Sequence, residues 1–250
     1  MSRASRTFRI IGTVIKLLLT AGIAFVCGLL IWRIFISQAL PDSMEPLAVN
    51  DALYEAYEEK GKELTLLTQG QGSITRADRN RGYFSVKNTV LIPDANQVQF
   101  VFRYNRSTVE ALQKDYSLPT LPDGTEHLYD LSLLVAIDLT PEDKTDNDKS
   151  NAESVKLVRV HPTALTSAEK SLYHYRRAVF DLGEAELELG ELMDSGLLLA
   201  IYADVYYVGD TDYTKTPYGT LCLYDYAGKI KRIKLTSADR DALAAYQKQN

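Results

Sequence analysis

The chain has 250 residues, of which 28 are basic and 33 acidic, and its formal net charge is −5. Five basic residues and no acidic ones precede residue 37, which leaves 23 basic against 33 acidic residues in the remainder. A body this acidic argues against binding to nucleic acid and against adhesion to an anionic membrane surface by charge.

The first predicted element is a membrane-spanning helix over residues 14–36. An uninterrupted apolar run extends from Leu17 to Trp32 and continues beyond Arg33. Twenty helical residues span about 30 Å, which is the thickness of the hydrocarbon core of a bilayer. Lys16 lies at one end of the run, and Trp32 and Arg33 lie at the other end. We expect these three residues to lie at the membrane interfaces, with residues 14–36 in contact with the lipid bilayer.

The charges around this run predict its orientation. Four basic residues precede the core of the run, and the chain that follows is acidic as far as Lys60. Since basic residues are retained in the cytoplasm, residues 1–13 are expected to be cytoplasmic and the body extracytoplasmic. The basic residues are Arg3, Arg6, Arg9 and Lys16; the first acidic ones after the run are Asp42, Glu45 and Asp51.

Two alternatives to an uncleaved signal anchor fit the same run less well. A cleaved signal peptide has a shorter apolar region, although Ser37-Gln38-Ala39 would serve as its cleavage site. A lipoprotein needs a small residue before the modified cysteine, whereas Val26 precedes Cys27. The pattern therefore favours an anchor that is kept.

Residues 37–82 are predicted to form an extracytoplasmic linker that contains one short helix. Pro41 and Pro46 indicate extended chain at its start. Asn50 is a suitable N-cap for a helix that continues to about Lys60, and Gly61 is suited to end it. Polar and glycine-rich sequence follows up to residue 82.

Residues 83–250 show the two-residue period of β-strands. In several segments apolar side chains alternate with polar ones, separated by polar turns. This pattern predicts a mainly β fold: an antiparallel β-sandwich or jelly-roll-like domain with short accessory helices. The predicted strands are 84–92, 97–104, 129–139, 154–160, 173–182, 197–205, 218–226 and 229–235, followed by a C-terminal helix from Ser237.

Tyrosine is enriched, with 16 residues, and its placement suggests a binding face. If Leu197, Leu199, Ile201, Ala203 and Val205 form an inward row, the alternate residues of that strand point outward. The same reasoning applies to strand 218–226, where Leu221 and Leu223 are taken as inward. The predicted binding face therefore consists of Tyr202, Asp204, Tyr206, Tyr224 and Tyr226. Aromatic rings beside a carboxylate suit a protein partner or a glycan, and the alternative is that a second layer covers them.

No motif predicts catalysis, a cofactor or a metal site. The histidines His127, His161 and His174 lack metal-ligand spacing, and the acidic loops lack the calcium-loop pattern. Cys222 carries no signal of reactivity, and Cys27 lies in the apolar run, so a disulfide between them is not expected.

The sequence as a whole predicts a single-pass membrane protein that binds rather than catalyses. Its partner is expected to be another protein of the cell envelope, with the β domain as an interaction or scaffold module. The alternatives are a module that binds glycans or small ligands on the surface, and a membrane-tethered hydrolase. The hydrolase requires facing carboxylates or a His–carboxylate pair in a cleft. On the interaction hypothesis, removing the rings of Tyr202 and Tyr224 abolishes binding without changing the melting temperature.

Overall fold

The computed structural model divides the chain into two units, Met1–Leu40 and Pro41–Asn250. The first unit consists of helix α1, and the second contains all the strands and the other helices. The structure describes residues 3–69, 73–75, 82–105, 107–108, 110, 114, 129–139, 155–170, 173–207 and 219–249.

Helix α1 (Arg3–Gln38) contains the predicted span. Its segment Thr13–Arg33 is long and apolar enough to cross a membrane and is exposed throughout. Lys16 and Trp32 are sixteen positions apart, which is about 24 Å along a helix axis. The expected interface residues Lys16, Trp32 and Arg33 therefore lie close to the two ends of this segment.

Two arginines in the middle of α1 test whether the chain is held in the bilayer by this helix. Each arginine at the centre of a membrane helix costs about 2.5–3.5 kcal/mol on the insertion scale. The double variant Ile23→Arg, Val26→Arg is therefore expected to be extracted from membranes by alkaline carbonate, whereas the wild-type chain stays in the pellet. The variant Ile23→Leu, Val26→Leu is the control and should behave as wild type. Retention of the arginine variant in the pellet would contradict anchoring by α1.

The second unit is mainly β and antiparallel, as predicted. Three α-helices accompany the strands in its described part: α2 (Asp51–Lys60), α3 (Leu189–Asp194) and α4 (Ser237–Gln247). The strands are β1 (Leu66–Thr68), β2 (Ser73–Thr75), β3 (Gly82–Ile92), β4 (Gln97–Asn105), β5 (Tyr129–Asp138), β6 (Val155–Val160), β7 (Ala164–Lys170), β8 (Tyr173–Asp181), β9 (Leu198–Tyr207), β10 (Gly219–Asp225) and β11 (Lys231–Ile233).

The strands follow one hydrogen-bonded path, in the order β6-β5-β9-β10-β2-β3-β4-β8-β7. The path has two halves of four strands, which the short β2 joins. On one side of β2 the pairing is a single register position, Thr220 opposite Thr75. Strand β1 pairs with β3 and β11 beside this path. All of these pairings are antiparallel.

One hydrophobic cluster takes side chains from both halves of the sheet. Alternate residues of each strand point into it, as the two-residue period requires. In the second half Phe100 and Phe180 stack with ring centroids 5.7 Å apart. The first half contributes Leu131, Leu133, Val135, Ile201, Ala203 and Val205, and the second contributes Val86, Phe100, Phe102, Tyr104, Ala178 and Phe180.

A second, smaller cluster joins the predicted linker to the sheet. Asn50 caps α2 as predicted, because its side chain accepts a hydrogen bond from Leu53 N at 3.1 Å. The boundary between the two units lies after Leu40, whereas the sequence placed the start of the domain at residue 83. Residues on both sides of 83 form this cluster: Leu47, Leu53, Ala56, Leu64, Leu66, Val90, Ile92 and Ala95.

Helix α4 is hydrogen-bonded to the segment that precedes α2. Thr236 and Asp239 form a reciprocal capping box at its first turn. The Asp239 carboxylate also accepts a hydrogen bond from Leu47 N at 2.7 Å. Arg177 on β8 donates to Ser43 O at 3.1 Å, so this segment also contacts the sheet.

Candidate functional site

The structure separates the five residues of the predicted binding face. Tyr202, Asp204 and Tyr206 point away from the main cluster on β9, as expected; Tyr202 is half-buried, and the other two are buried. Tyr226 follows β10 and is 61% exposed. Tyr224 is only 3% exposed and belongs to the main hydrophobic cluster. The prediction that Tyr224 lies on the outer face is therefore wrong.

A β-bulge in β10 explains the position of Tyr224. Cys222 lies opposite Tyr202, but Tyr224 lies opposite Ile201, so Leu223 is an extra residue in the register. An extra residue reverses the alternation of the side chains beyond it. Leu223 and Tyr224 consequently both enter the main cluster. Cys222 lies on the outer face, opposite Tyr202. In a regular strand Tyr224 would lie on that same face, two residues further along.

A second bulge changes the inward row of β9. Ala136 of β5 pairs with Ala200, and the next residue, Ile137, pairs with Leu198, so Leu199 is the extra residue. Leu198 is buried in the main cluster, and Leu197 and Leu199 are half-buried. The predicted inward row is therefore correct from Ile201 onward and wrong at Leu199, whereas Leu197 packs against the main cluster.

The predicted residues Asp204 and Tyr206 belong to a polar network on the outer face of four neighbouring strands. Nη1 of Arg159 on β6 lies 2.6 Å from Ser132 Oγ, 2.9 Å from Tyr206 Oη and 3.4 Å from Asp204 Oδ2. Thr220 Oγ1 on β10 donates to Asp204 Oδ1 at 2.6 Å. Both oxygens of the carboxylate thus have partners, and the arginine neutralises its charge.

Strand register brings the members of this network together. Ser132 of β5, Asp204 of β9 and Thr220 of β10 lie directly opposite one another. Arg159 of β6 pairs with Leu134, which is the next outward-facing residue of β5 after Ser132. The long side chain of Arg159 reaches back from this position to Ser132 and Asp204. Ser132, Arg159 and Thr220 were missed from the sequence, because no local pattern shows which residues of distant strands become neighbours.

Burial sets the ionisation of the tyrosines in this region. It raises the pKa of the Tyr206 phenol, and the Asp204 carboxylate adds to the rise, whereas Arg159 opposes it. Burial likewise raises the pKa of Tyr202. Both phenols are therefore neutral at physiological pH and act as hydrogen-bonding and packing groups.

The side chains of this network already hydrogen-bond to one another. Asp204 is occupied by Thr220 and Arg159, so it is not a free general base. Across the described residues, no three His, Cys, Asp or Glu side chains are grouped in a way that could hold a metal ion. Of the His–carboxylate pairs that a hydrolase would use, His174 Nδ1 lies 3.0 Å from Glu169 Oε1 on the other half of the sheet.

Beside the network, the same outer face carries exposed apolar side chains, which we call the β6 patch: Val155, Leu157, Leu134 and Tyr202. Leu157 is 59% exposed and Val155 is 44% exposed. Leu134 and Tyr202 are half-buried and lie opposite each other on β5 and β9. Among the described strands β6 pairs only with β5, so it is a terminal strand of the described path.

No protein-family model, no curated protein and no solved structure matches this chain. A function is therefore inferred from the geometry of these surfaces.

Proposed function

We propose that this chain is a single-pass membrane protein whose β domain binds another protein of the cell envelope through the β6 patch. The exposure of Leu157 and Val155 on a terminal strand carries the proposal. Natural proteins usually protect such strand edges with charge, bulges or a covering element, because an open edge pairs with other chains. An edge with adjacent apolar side chains on one face is suited to strand addition by a partner.

The partner that fits is an extended segment with apolar side chains on the face that meets Leu157 and Tyr202. Its backbone would extend the sheet beyond β6, and its side chains would cover the β6 patch. Arg159 lies beside the patch with about a third of its side chain exposed, while its guanidinium is fixed by the polar network. An acidic residue in the partner would find this cation at the edge of the contact.

The proposed topology places the domain outside the cytoplasm, with α1 as an uncleaved anchor and residues 1–13 in the cytoplasm. The basic residues before the apolar run and the acidic residues after it support this orientation. We further propose that the two halves of the sheet face each other as a sandwich, which the shared hydrophobic cluster supports.

A photo-crosslinking amino acid at position 157 of the full-length chain tests the contact in native membranes. We expect a discrete adduct with one protein from position 157 and none from position 166. Thr166 is the matched control because it is exposed on β7, the strand at the opposite end of the sheet. Equal adducts from both positions, or none from position 157, would contradict the proposal.

The substitution Leu157→Lys tests whether formation of the adduct depends on the β6 patch. We expect it to remove the adduct formed from a probe at position 155 while the melting temperature changes by no more than about 2 °C, since exposed substitutions have small effects on stability. Thr166→Lys adds the same charge on β7 and should leave the adduct intact. An unchanged adduct in Leu157→Lys would show that the partner does not depend on the β6 patch.

A further inference from the structure

A small cavity lies on the half of the sheet that does not carry the β6 patch. Its volume is about 180 Å³. Exposed residues of the terminal strand β7 line one side, which opens the cavity to solvent. Among the described residues its lining consists of Tyr104 from β4, Ser167, Ala168 and Glu169 from β7, and His174, Tyr175 and Arg176 from β8.

Arg176 is the unusual member of this lining. It is only 8% exposed, and its Nε and Nη1 atoms are buried without a hydrogen-bond partner in the described part of the chain. Leaving a buried charged donor without an acceptor is costly, and such groups are normally paired. A ligand that brings an acceptor into the cavity would relieve that cost.

Two other buried arginines of the same sheet have contacts that Arg176 lacks, although Nε and Nη1 of Arg103 are also without hydrogen-bond partners in the described part of the chain. Burial lowers the pKa of Arg177, the nearby Asp239 carboxylate opposes that lowering, and the guanidinium donates to Ser43 O. Arg103 has its guanidinium carbon 4.3 Å from the centre of the Tyr173 ring, a cation–π contact. Arg176 has neither kind of partner among the described residues, although it lines a cavity.

The neighbouring groups restrict the charge of a ligand. Register places Ser167 opposite Arg176, and Glu169 opposite His174. Glu169 Oε1 lies 3.0 Å from His174 Nδ1, and the His174 ring stacks on Tyr104 with centroids 5.3 Å apart. Arg176 can pair directly with the charge of a monoanion, whereas Glu169, the one acidic residue of the described lining, would repel a phosphate dianion more strongly.

We propose that this cavity binds a small monocarboxylate, with Arg176 as the donor to the carboxylate and Tyr104 as an apolar wall. Drug-sized ligands occupy about 300–1,000 Å³, so a cavity of this size takes a molecule of only a few non-hydrogen atoms. The guanidinium and a carboxylate form the short, charge-assisted hydrogen bonds that Nε and Nη1 of Arg176 do not make with any described residue. The site is distinct from the β6 patch and does not depend on a protein partner.

Ligand-observed NMR titration of the detergent-solubilised full-length chain tests this site, with propionate as the probe. We expect saturable binding of propionate and weaker binding of propionamide, which has the same shape without the charge. The variant Arg176→Met should weaken propionate binding by about tenfold or more, as expected when a charged partner of a buried hydrogen bond is removed. Its melting temperature should not fall, because the unpaired charge is gone.

Two further variants make the result specific. Arg103→Met removes another buried guanidinium whose Nε and Nη1 also lack hydrogen-bond partners in the described part of the chain, but which contacts the Tyr173 ring on the opposite face of the sheet; it should leave propionate binding unchanged. Ser167→Phe places a ring at the exposed side of the cavity and should block propionate binding while Arg176 stays intact. This variant therefore tests the site even if Arg176→Met fails to fold. Equal binding of propionamide, tighter binding of inorganic phosphate, or undiminished binding by Arg176→Met or Ser167→Phe would overturn the proposal.

Discussion

Replacing Tyr224 with alanine is expected to lower the free energy of unfolding by about 3–5 kcal/mol, the usual cost of removing a large aromatic ring from a core. The bulge at Leu223 turns this ring into the main hydrophobic cluster, where it is 3% exposed. Burial also raises the pKa of its phenol, so the ring is neutral and well packed at physiological pH. The loss would therefore leave a cavity in the main hydrophobic cluster.

The matched control is Tyr226→Ala, two residues further along the chain. Tyr226 is exposed, so its removal should change the free energy of unfolding by about 0.5 kcal/mol or less. Urea unfolding of both variants, followed by circular dichroism in the same detergent, gives the comparison. If Tyr224→Ala were no less stable than Tyr226→Ala, the bulge would be misplaced and Tyr224 would lie on the outer face. The sequence alone predicted an unchanged stability for Tyr224→Ala, since Tyr224 was counted as a residue of the outer binding face.

Replacing Asp239 with alanine is expected to destabilise the domain by about 2–4 kcal/mol, through two losses that add. The first is the capping box, in which Asp239 Oδ2 accepts from Thr236 N at 2.7 Å. The second is the bond from Leu47 N to Oδ1, also at 2.7 Å. Without the carboxylate the Leu47 N–H stays buried without its acceptor, and Arg177 loses a nearby opposite charge.

Hydrogen exchange at the Leu47 amide, with a control substitution on the same helix, distinguishes loss of this hydrogen bond from a general loss of stability. Asp241 is exposed on α4, so Asp241→Ala should leave stability nearly unchanged. Asp239→Ala should increase the exchange rate of the Leu47 amide by more than global unfolding alone explains, and Asp239→Asn should fall between the two. If the Leu47 amide were protected equally in Asp239→Ala and Asp241→Ala, the Asp239 carboxylate would not hold the segment before α2.

Much of the fold was predictable because its signals are local. The cap at Asn50 and the C-terminal helix from Ser237 were found from the residues that favour helix ends, and both are present. The eight predicted strands recur with shifts of one or two residues at most of their ends, since alternation of apolar side chains marks a strand with one buried face.

The positions that were wrong or missed depend on contacts between distant parts of the chain. The bulges at Leu199 and Leu223 reverse the alternation, and no glycine or proline lies within two residues of either position to mark them. Strand β7 was not predicted, because a terminal strand that is exposed on much of its surface has no apolar alternation to detect. Ser167 and Glu169 of the cavity lie on this strand, so the cavity was missed with it.

The bond between Leu47 and Asp239 also sets an order for assembly during synthesis. These residues are 192 positions apart, so one is among the first parts of the domain to be made and the other among the last. Leu47 must therefore wait for nearly the whole domain to be synthesised before it can bond to Asp239. Contacts at such separations close late and slowly, because the intervening chain must first be ordered. Until α4 forms, the Leu47 N–H lacks its acceptor, and we expect the segment before α2 to be the part of the nascent domain most open to proteases.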